Sequence, residues 1–174
     1  MLRILLLITA LISILFVYAE DIMDVNLKGL EPFAGKTYKG EFSTSTADKP
    51  MFDIQQWEVI LGGKAVRIMH SVNDGDYGGE TVIFWDAAKE SVVYYYFTNA
   101  GFHTTGTMEF AAGKVISYEE IHNNQNGITA AKSIGEVLPD GRIKNSSEYL
   151  KNGEWIPGHE VIYTEDVAAE VIFK

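Results

Sequence analysis

Short runs of β-branched and aromatic residues alternate with turn residues along the chain from Pro32 onward. Each run has about eight to ten residues rich in Val, Ile, Tyr, Phe and Thr, which favour strands. Pairs such as Asp74-Gly75 and Asp140-Gly141 separate the runs and supply the positive φ angles that tight hairpins need. No segment has an apolar period of 3.6 residues over a helical length. The pattern therefore predicts strands joined by hairpins.

The turns recur at intervals of about 12 to 14 residues, which leaves no room for long crossover connections and favours up-and-down order. An open sheet of about ten strands would leave two exposed edges, whereas closure removes both. We therefore predict an all-β fold, a single antiparallel up-and-down β-barrel of about ten strands. The predicted strands are residues 36–45, 52–60, 64–72, 79–86, 91–98, 102–110, 114–122, 128–137, 142–150, 158–164 and an additional one at 169–173.

The N-terminal segment has the features of a secretory signal. Arg3 precedes an apolar run from Ile4 to Tyr18, and Val17 and Ala19 are small enough for signal peptidase. The run is shorter than the roughly 20 residues that span a bilayer. We predict a signal peptide over residues 1–19, a single barrel domain over 20–174, and a secreted or periplasmic protein. An uncleaved N-terminal anchor is the alternative.

Charge and cysteine content narrow the function. The chain has 14 Lys and Arg against 24 Asp and Glu, a net charge of −10, and no cysteine. Such a chain is repelled by nucleic acid and by anionic membranes, so neither is an expected partner, nor is stable membrane insertion after signal cleavage. A cationic ligand would be attracted, although surface charge also serves solubility. Core packing must stabilise the fold without disulfides.

Side-chain alternation predicts what faces the barrel interior. A barrel of about ten strands is wider than its own side chains fill, so a cavity is expected. On the strand after Gly101 the apolar face points inward and His103 outward. The inward set there is Phe102, Thr104, Gly106, Met108 and Phe110. On residues 64–72 neither face is plainly polar, so Arg67 or His70 must face inward, and at least one of the three tyrosines at 94–96 does so too.

Candidate ligand-binding residues follow from these faces. They are Trp57, Arg67, His70, Tyr95, Met108, Tyr149 and His159. The alternative role of Arg67 is an ion pair with an acidic residue of the barrel. No catalytic constellation is found, since Glu119 and Glu120 point to opposite faces, so binding is favoured over catalysis. The acidic glycine-rich loop that starts at Asp74 is interpreted as a hairpin turn, not a calcium loop, and no metal site is predicted.

Several stretches carry a family resemblance. "LEPFAGKTYKGEF" at residues 30–42 resembles the first strand of calycins, and "WEVILGG" at 57–63, "IFWD" at 83–86 and "YYYFTNAGFHTTGTM" at 94–108 are similar to an uncharacterised family of lipocalin-like secreted bacterial proteins. The resemblance implies a ten-stranded calycin-like barrel. Nitrobindin-like haem proteins share that barrel and ligate haem with a histidine near the chain's end, where His159 lies. Their glycine-tyrosine-proline signature is missing here.

Three functional hypotheses result. The first is an exported barrel that binds a small, mostly apolar molecule in its lumen, without a cofactor. The second is a haem-binding barrel that uses His159 or His70. The third is a structural or interaction protein without a ligand, which an exposed apolar patch on the barrel wall would indicate.

Overall fold

The computed structural model describes residues 23–121 and 127–174. Within these residues ten antiparallel strands form one closed barrel, in which each strand pairs with its neighbours in sequence and β10 pairs with β1. The predicted fold class is thereby confirmed. The strands are β1 (Thr37–Phe42), β2 (Phe52–Ile60), β3 (Ala65–Val72), β4 (Tyr77–Asp86), β5 (Ser91–Thr98), β6 (His103–Ala111), β7 (Lys114–Glu120), β8 (Ile128–Val137), β9 (Ile143–Lys151) and β10 (Glu154–Glu165). The predicted signal peptide, residues 1–19, lies outside the described residues, as does His122.

The C-terminal part of the chain differs from the prediction. The last strand begins at Glu154 rather than 158, because Asn152 and Gly153 both adopt positive φ and turn the chain directly out of β9. No strand forms at 169–173, since pairing of β1 with β10 leaves no edge for it. Instead the final residues follow the outer wall, where the Ile172 N–H donates to Ser71 Oγ at 3.1 Å.

A short 3-10 helix (Val25–Leu30) closes one end of the barrel. Asp24 caps it by accepting a hydrogen bond from the Asn26 N–H at 3.0 Å. Leu27 and Leu30 are fully buried against inward residues of the strands. The Asp24 N–H also donates to Gly63 O at 2.8 Å, which ties the helix to the turn between β2 and β3. The hydrophobic core therefore fills this closed end and leaves the other end open.

Inward tyrosine rings are accommodated by glycines on neighbouring strands. Tyr94 on β5 lies directly opposite Gly106 on β6, and a Cβ at Gly106 would overlap the Tyr94 ring. Tyr163 on β10 has the same relation to Gly40 on β1. Each glycine leaves space that a large ring fills, so aromatic side chains can lie flat against the inner wall.

Candidate functional site

A cavity of about 620 Å³ occupies the open half of the barrel. Apolar side chains from several strands form much of its wall, among them Phe42, Ile68, Met108 and Val161. Tyrosines from β4, β5, β9 and β10 line the rest, together with polar side chains from several strands. The composition of this wall is typical of a small-molecule site.

Asp53 is the centre of a hydrogen-bond network on one side of the cavity. Its side chain faces inward from β2, and the residue is only 3% exposed. One carboxylate oxygen lies 2.9 Å from His70 Nδ1. The other accepts from the Tyr163 hydroxyl at 2.7 Å and from Gln55 Nε2 at 3.1 Å. Three partners therefore satisfy this buried carboxylate, as a buried charge requires.

The network continues from His70 toward the mouth. His70 Nε2 lies 2.7 Å from the Tyr96 hydroxyl, whose oxygen lies 2.8 Å from that of Tyr77. Both imidazole nitrogens are thus engaged, which fixes the ring. Burial raises the pKa of Tyr96 and of Tyr77, so both hydroxyls stay protonated and serve as hydrogen-bond groups rather than bases. The chain of contacts positions polar groups in the wall.

Glu119 provides the second carboxyl group of the cavity, on β7. Its Oε1 accepts from Thr104 Oγ1 at 2.5 Å, and Thr104 is 1% exposed. Burial raises the pKa of Glu119, and the Thr104 hydrogen bond only partly offsets this effect. Among the described residues no second donor reaches this carboxyl group. The Glu119 carboxyl group therefore has fewer hydrogen-bond partners than that of Asp53 among the described residues.

His159 lies at the mouth of the cavity, beside an irregularity in the pairing of β10 with β9. Its ring meets Phe42 and Tyr149 edge-on, with centroid distances of 5.6 and 5.3 Å. The residue is exposed, yet these neighbours remove enough water to lower the pKa of the imidazole. His159 is consequently held in its neutral form more than a free histidine.

Four of the predicted residues lie in the cavity wall: His70, Met108, Tyr149 and His159. They come from β3, β6, β9 and β10, so the closed barrel brings together positions up to about 90 residues apart in sequence. His103 is exposed, as the alternation on β6 predicts.

Three predicted positions need correction. Arg67 lies on the outer wall, because Ile68 and His70 take the inward positions of β3, and it pairs with Glu58 and Glu80. Its alternative role, the ion pair, is therefore the observed one.

Tyr95 is also on the outer wall, stacked on Phe84 at a centroid distance of 6.2 Å, whereas Tyr94 and Tyr96 face the cavity. Trp57 faces inward but lies below the cavity, in the core of the closed end. It stacks on Phe33 at 5.0 Å and donates from Nε1 to Gln55 at 3.2 Å. The Trp57 side chain is therefore a structural part of the closed end.

Sequence reasoning missed the polar residues that organise the site, namely Asp53, Tyr163 and Glu119. The sequence holds a usable pattern for the first, since Asp53 and Gln55 share a strand face with Trp57, which is predicted to face inward. The pairing of Asp53 with Tyr163 joins residues 110 apart in sequence, and no local pattern reveals it.

Across residues 23–121 and 127–174 no group of three or more acidic or histidine side chains is arranged to hold a metal ion. In the same residues no helix has the length and hydrophobicity needed to cross a membrane. No protein-family model matches the chain, and no curated protein is significantly similar to it. Fold and site together define a class, a closed ten-stranded up-and-down barrel with a cavity open at one end. The resemblance to calycins stays a prediction.

Proposed function

We propose that this protein binds a small, mostly apolar molecule in the open half of the barrel. The observation that carries the proposal is the cavity of about 620 Å³. Its volume falls within the range of about 300–1,000 Å³ that is usual for small-molecule sites. Its wall combines apolar and aromatic side chains with polar groups, some of them fixed by hydrogen bonds, which favours binding of an amphipathic compound.

The energetics support a ligand of moderate size. Burying about 200 Å² of apolar ligand surface at about 25 cal/mol per Å² contributes about 5 kcal/mol, before the cost of immobilising the ligand. The network from Asp53 to Tyr77 is already formed without a ligand, so little ordering of the wall is required. Polar groups of this network would orient the ligand.

An uncharged fluorescent dye, N-phenyl-1-naphthylamine, tests the proposal. We expect saturable binding to the wild-type protein. Met108→Trp places a large ring in the cavity and should weaken dye binding by about tenfold or more, since it removes volume that the dye occupies. Thr107→Trp is the matched control, because Thr107 is the exposed neighbour on the same strand.

Circular dichroism must show that both variants are folded. Failure of the wild-type protein to bind the dye, or equal loss in the two variants, contradicts the proposal. Native mass spectrometry of the protein from its own host would identify a retained ligand.

Haem binding is the second candidate, and His159 is the residue that favours it. Among the described residues no hydrogen bond engages its ring nitrogens, and the lowered pKa favours the neutral form that ligates iron. His70 does not fit this role, since both of its nitrogens are hydrogen-bonded. The described lining residues also include no lysine or arginine to pair with the haem propionates. A Soret band on adding haemin, lost in His159→Ala, would support this candidate.

An interaction protein without a ligand is the third candidate. Tyr95, Tyr118 and Trp155 are 38%, 40% and 49% exposed, and all three border one groove on the outer wall. Aromatic residues at such a position favour contact with another molecule. This candidate takes precedence when the wild-type protein binds neither the dye nor haem.

A further inference from the structure

We propose that the ligand carries a protonated amine on an apolar or aromatic body, and that the Glu119 carboxyl group receives this amine inside the cavity. The inference rests on the proposed function and specifies the chemical class of its ligand. It depends on the charges that face the cavity, on the hydrogen bonds that each of them already makes, and on the aromatic rings beside Glu119.

The charged and titratable groups of the cavity wall are acidic, histidine or tyrosine. Carboxyl groups come from Asp53 on β2 and Glu119 on β7, and imidazoles from His70 on β3 and His159 on β10. The tyrosines are Tyr77, Tyr94, Tyr96, Tyr149 and Tyr163. No lysine or arginine is among the described lining residues. An anionic ligand would therefore meet carboxyl groups without a compensating cation, whereas a cation would be attracted.

The two carboxyl groups are not equivalent. Asp53 already interacts with His70, Tyr163 and Gln55, and these partners leave it little capacity for a ligand. Glu119 accepts from Thr104 alone among the described residues, and its carboxyl group lines the cavity. A carboxyl group with capacity to accept further hydrogen bonds is a suitable partner for an ammonium group. A cationic ligand would thus gain the most binding free energy beside Glu119.

Aromatic rings lie on both sides of this position. In the sheet register Glu119 lies opposite Gly106, which lies opposite Tyr94, and on its other side Glu119 lies opposite Ala131, which lies opposite Tyr149. Burial is the main cause of the raised pKa of Tyr94 and Tyr149, and the negative charge of Glu119 adds to it. Tyrosine faces attract ammonium groups through their quadrupole. The same rings provide apolar surface for the body of the ligand. One region of the cavity therefore offers both a carboxyl group and aromatic walls.

Protonation of Glu119 should be linked to binding of the amine. Burial holds the pKa of Glu119 above its usual value, and an ammonium group beside the carboxylate would bring it back down. Binding of the amine should then strengthen as pH rises through the pKa of Glu119 in the free protein. Below that pH, binding should release a proton. Asp53, His70 and His159 face the same cavity, so the comparison must be made against a variant that lacks only the Glu119 charge.

The test is displacement of N-phenyl-1-naphthylamine by two ligands of equal chain length, decylamine and decanoate, at pH 7.5 in about 150 mM salt to screen the overall protein charge. We expect decylamine to displace the dye at a concentration about tenfold or more below that of decanoate, as a charge-assisted hydrogen bond implies. Glu119→Gln should reduce this ratio to about threefold or less. Glu120→Gln removes the same charge from the exposed neighbour on β7 and should leave the ratio unchanged.

Each outcome decides a different proposal. When the dye binds but the two ligands compete equally, or Glu119→Gln behaves like Glu120→Gln, the amine inference is overturned and the proposed function stands. When the dye does not bind and calorimetric titration with decylamine shows no saturable binding either, the proposed function fails and the amine inference, which rests on it, fails with it.

Discussion

Removing the Tyr163 hydroxyl should destabilise the barrel measurably, although the ring itself stays in place. Tyr163 is 3% exposed, and its hydroxyl donates to Asp53 Oδ2 at 2.7 Å while it accepts from Gln55 Nε2 at 2.7 Å. Tyr163→Phe keeps the apolar contact with Gly40 and deletes only these two hydrogen bonds. The experiment therefore isolates the polar network from the packing around it.

The expected cost is about 1.5–3 kcal/mol, because a hydrogen bond to a charged group contributes about that much to stability. A change of about 2 kcal/mol corresponds to a fall in Tm of about 4–8 °C for a domain of this size. Burial keeps the pKa of Tyr163 well above its usual value, so the hydroxyl remains a donor throughout the measurable range. The Tyr163 hydroxyl should consequently act as a donor at both pH 6 and pH 8.

Urea unfolding followed by tryptophan fluorescence and circular dichroism measures this cost. Tyr118→Phe is the matched control, since Tyr118 is 40% exposed on the outer wall, and it should change the free energy of unfolding by less than about 0.5 kcal/mol. In an Asp53→Asn background, Tyr163→Phe should cost less than in the wild-type protein by about 1 kcal/mol. Equal effects of Tyr163→Phe and Tyr118→Phe would refute the reasoning that this network stabilises the barrel.

Three further predictions concern other parts of the barrel. Gly106→Ala should lower the free energy of unfolding in urea by about 1–3 kcal/mol, because the added methyl group overlaps the Tyr94 ring. Gly135→Ala is the control and should change it by less than about 0.5 kcal/mol, because a Cβ there has ordinary space; similar values for the two variants would contradict this account. Glu119→Gln should become more stabilising relative to the wild-type protein as pH rises from 4 to 7. The reason is that the raised pKa of Glu119 makes the folded state lose stability as the carboxyl group ionises. A difference in urea midpoints that does not change with pH would exclude a raised pKa at Glu119. Arg67→Gln should leave dye affinity unchanged and cost about 1 kcal/mol or less, and a loss of dye binding would place Arg67 back in the site.

The barrel itself could be predicted because its determinants are local. Turn pairs such as Asp140-Gly141 mark the hairpins, and the alternation on β6 assigns Met108 inward and His103 outward. The prediction of an additional strand at 169–173 was wrong for a reason that no local sequence pattern reveals. Those residues favour β structure, but closure of β1 onto β10 uses every edge.

The candidate site was only partly predictable, because alternation along a strand separates its two faces but does not say which face points into the barrel. The run of three tyrosines at 94–96 must alternate, yet only the register with Gly106 shows that Tyr94 and Tyr96 face inward and Tyr95 outward. Arg67 and His70 posed the same choice, which the ion pair with Glu58 resolves in favour of an outward Arg67. Long-range pairings such as Asp53 with Tyr163 arise only when the barrel closes.

The 3-10 helix at Val25–Leu30 places the start of the described chain and the cavity entrance at opposite ends of the barrel. The described chain enters the fold at Met23, beside the end that the helix blocks, and the cavity opens at the far end. A tag, a surface linkage or an anchor attached ahead of Met23 would therefore connect at the closed end, away from the entrance of the cavity. Immobilisation through the N-terminus should accordingly preserve access for small molecules.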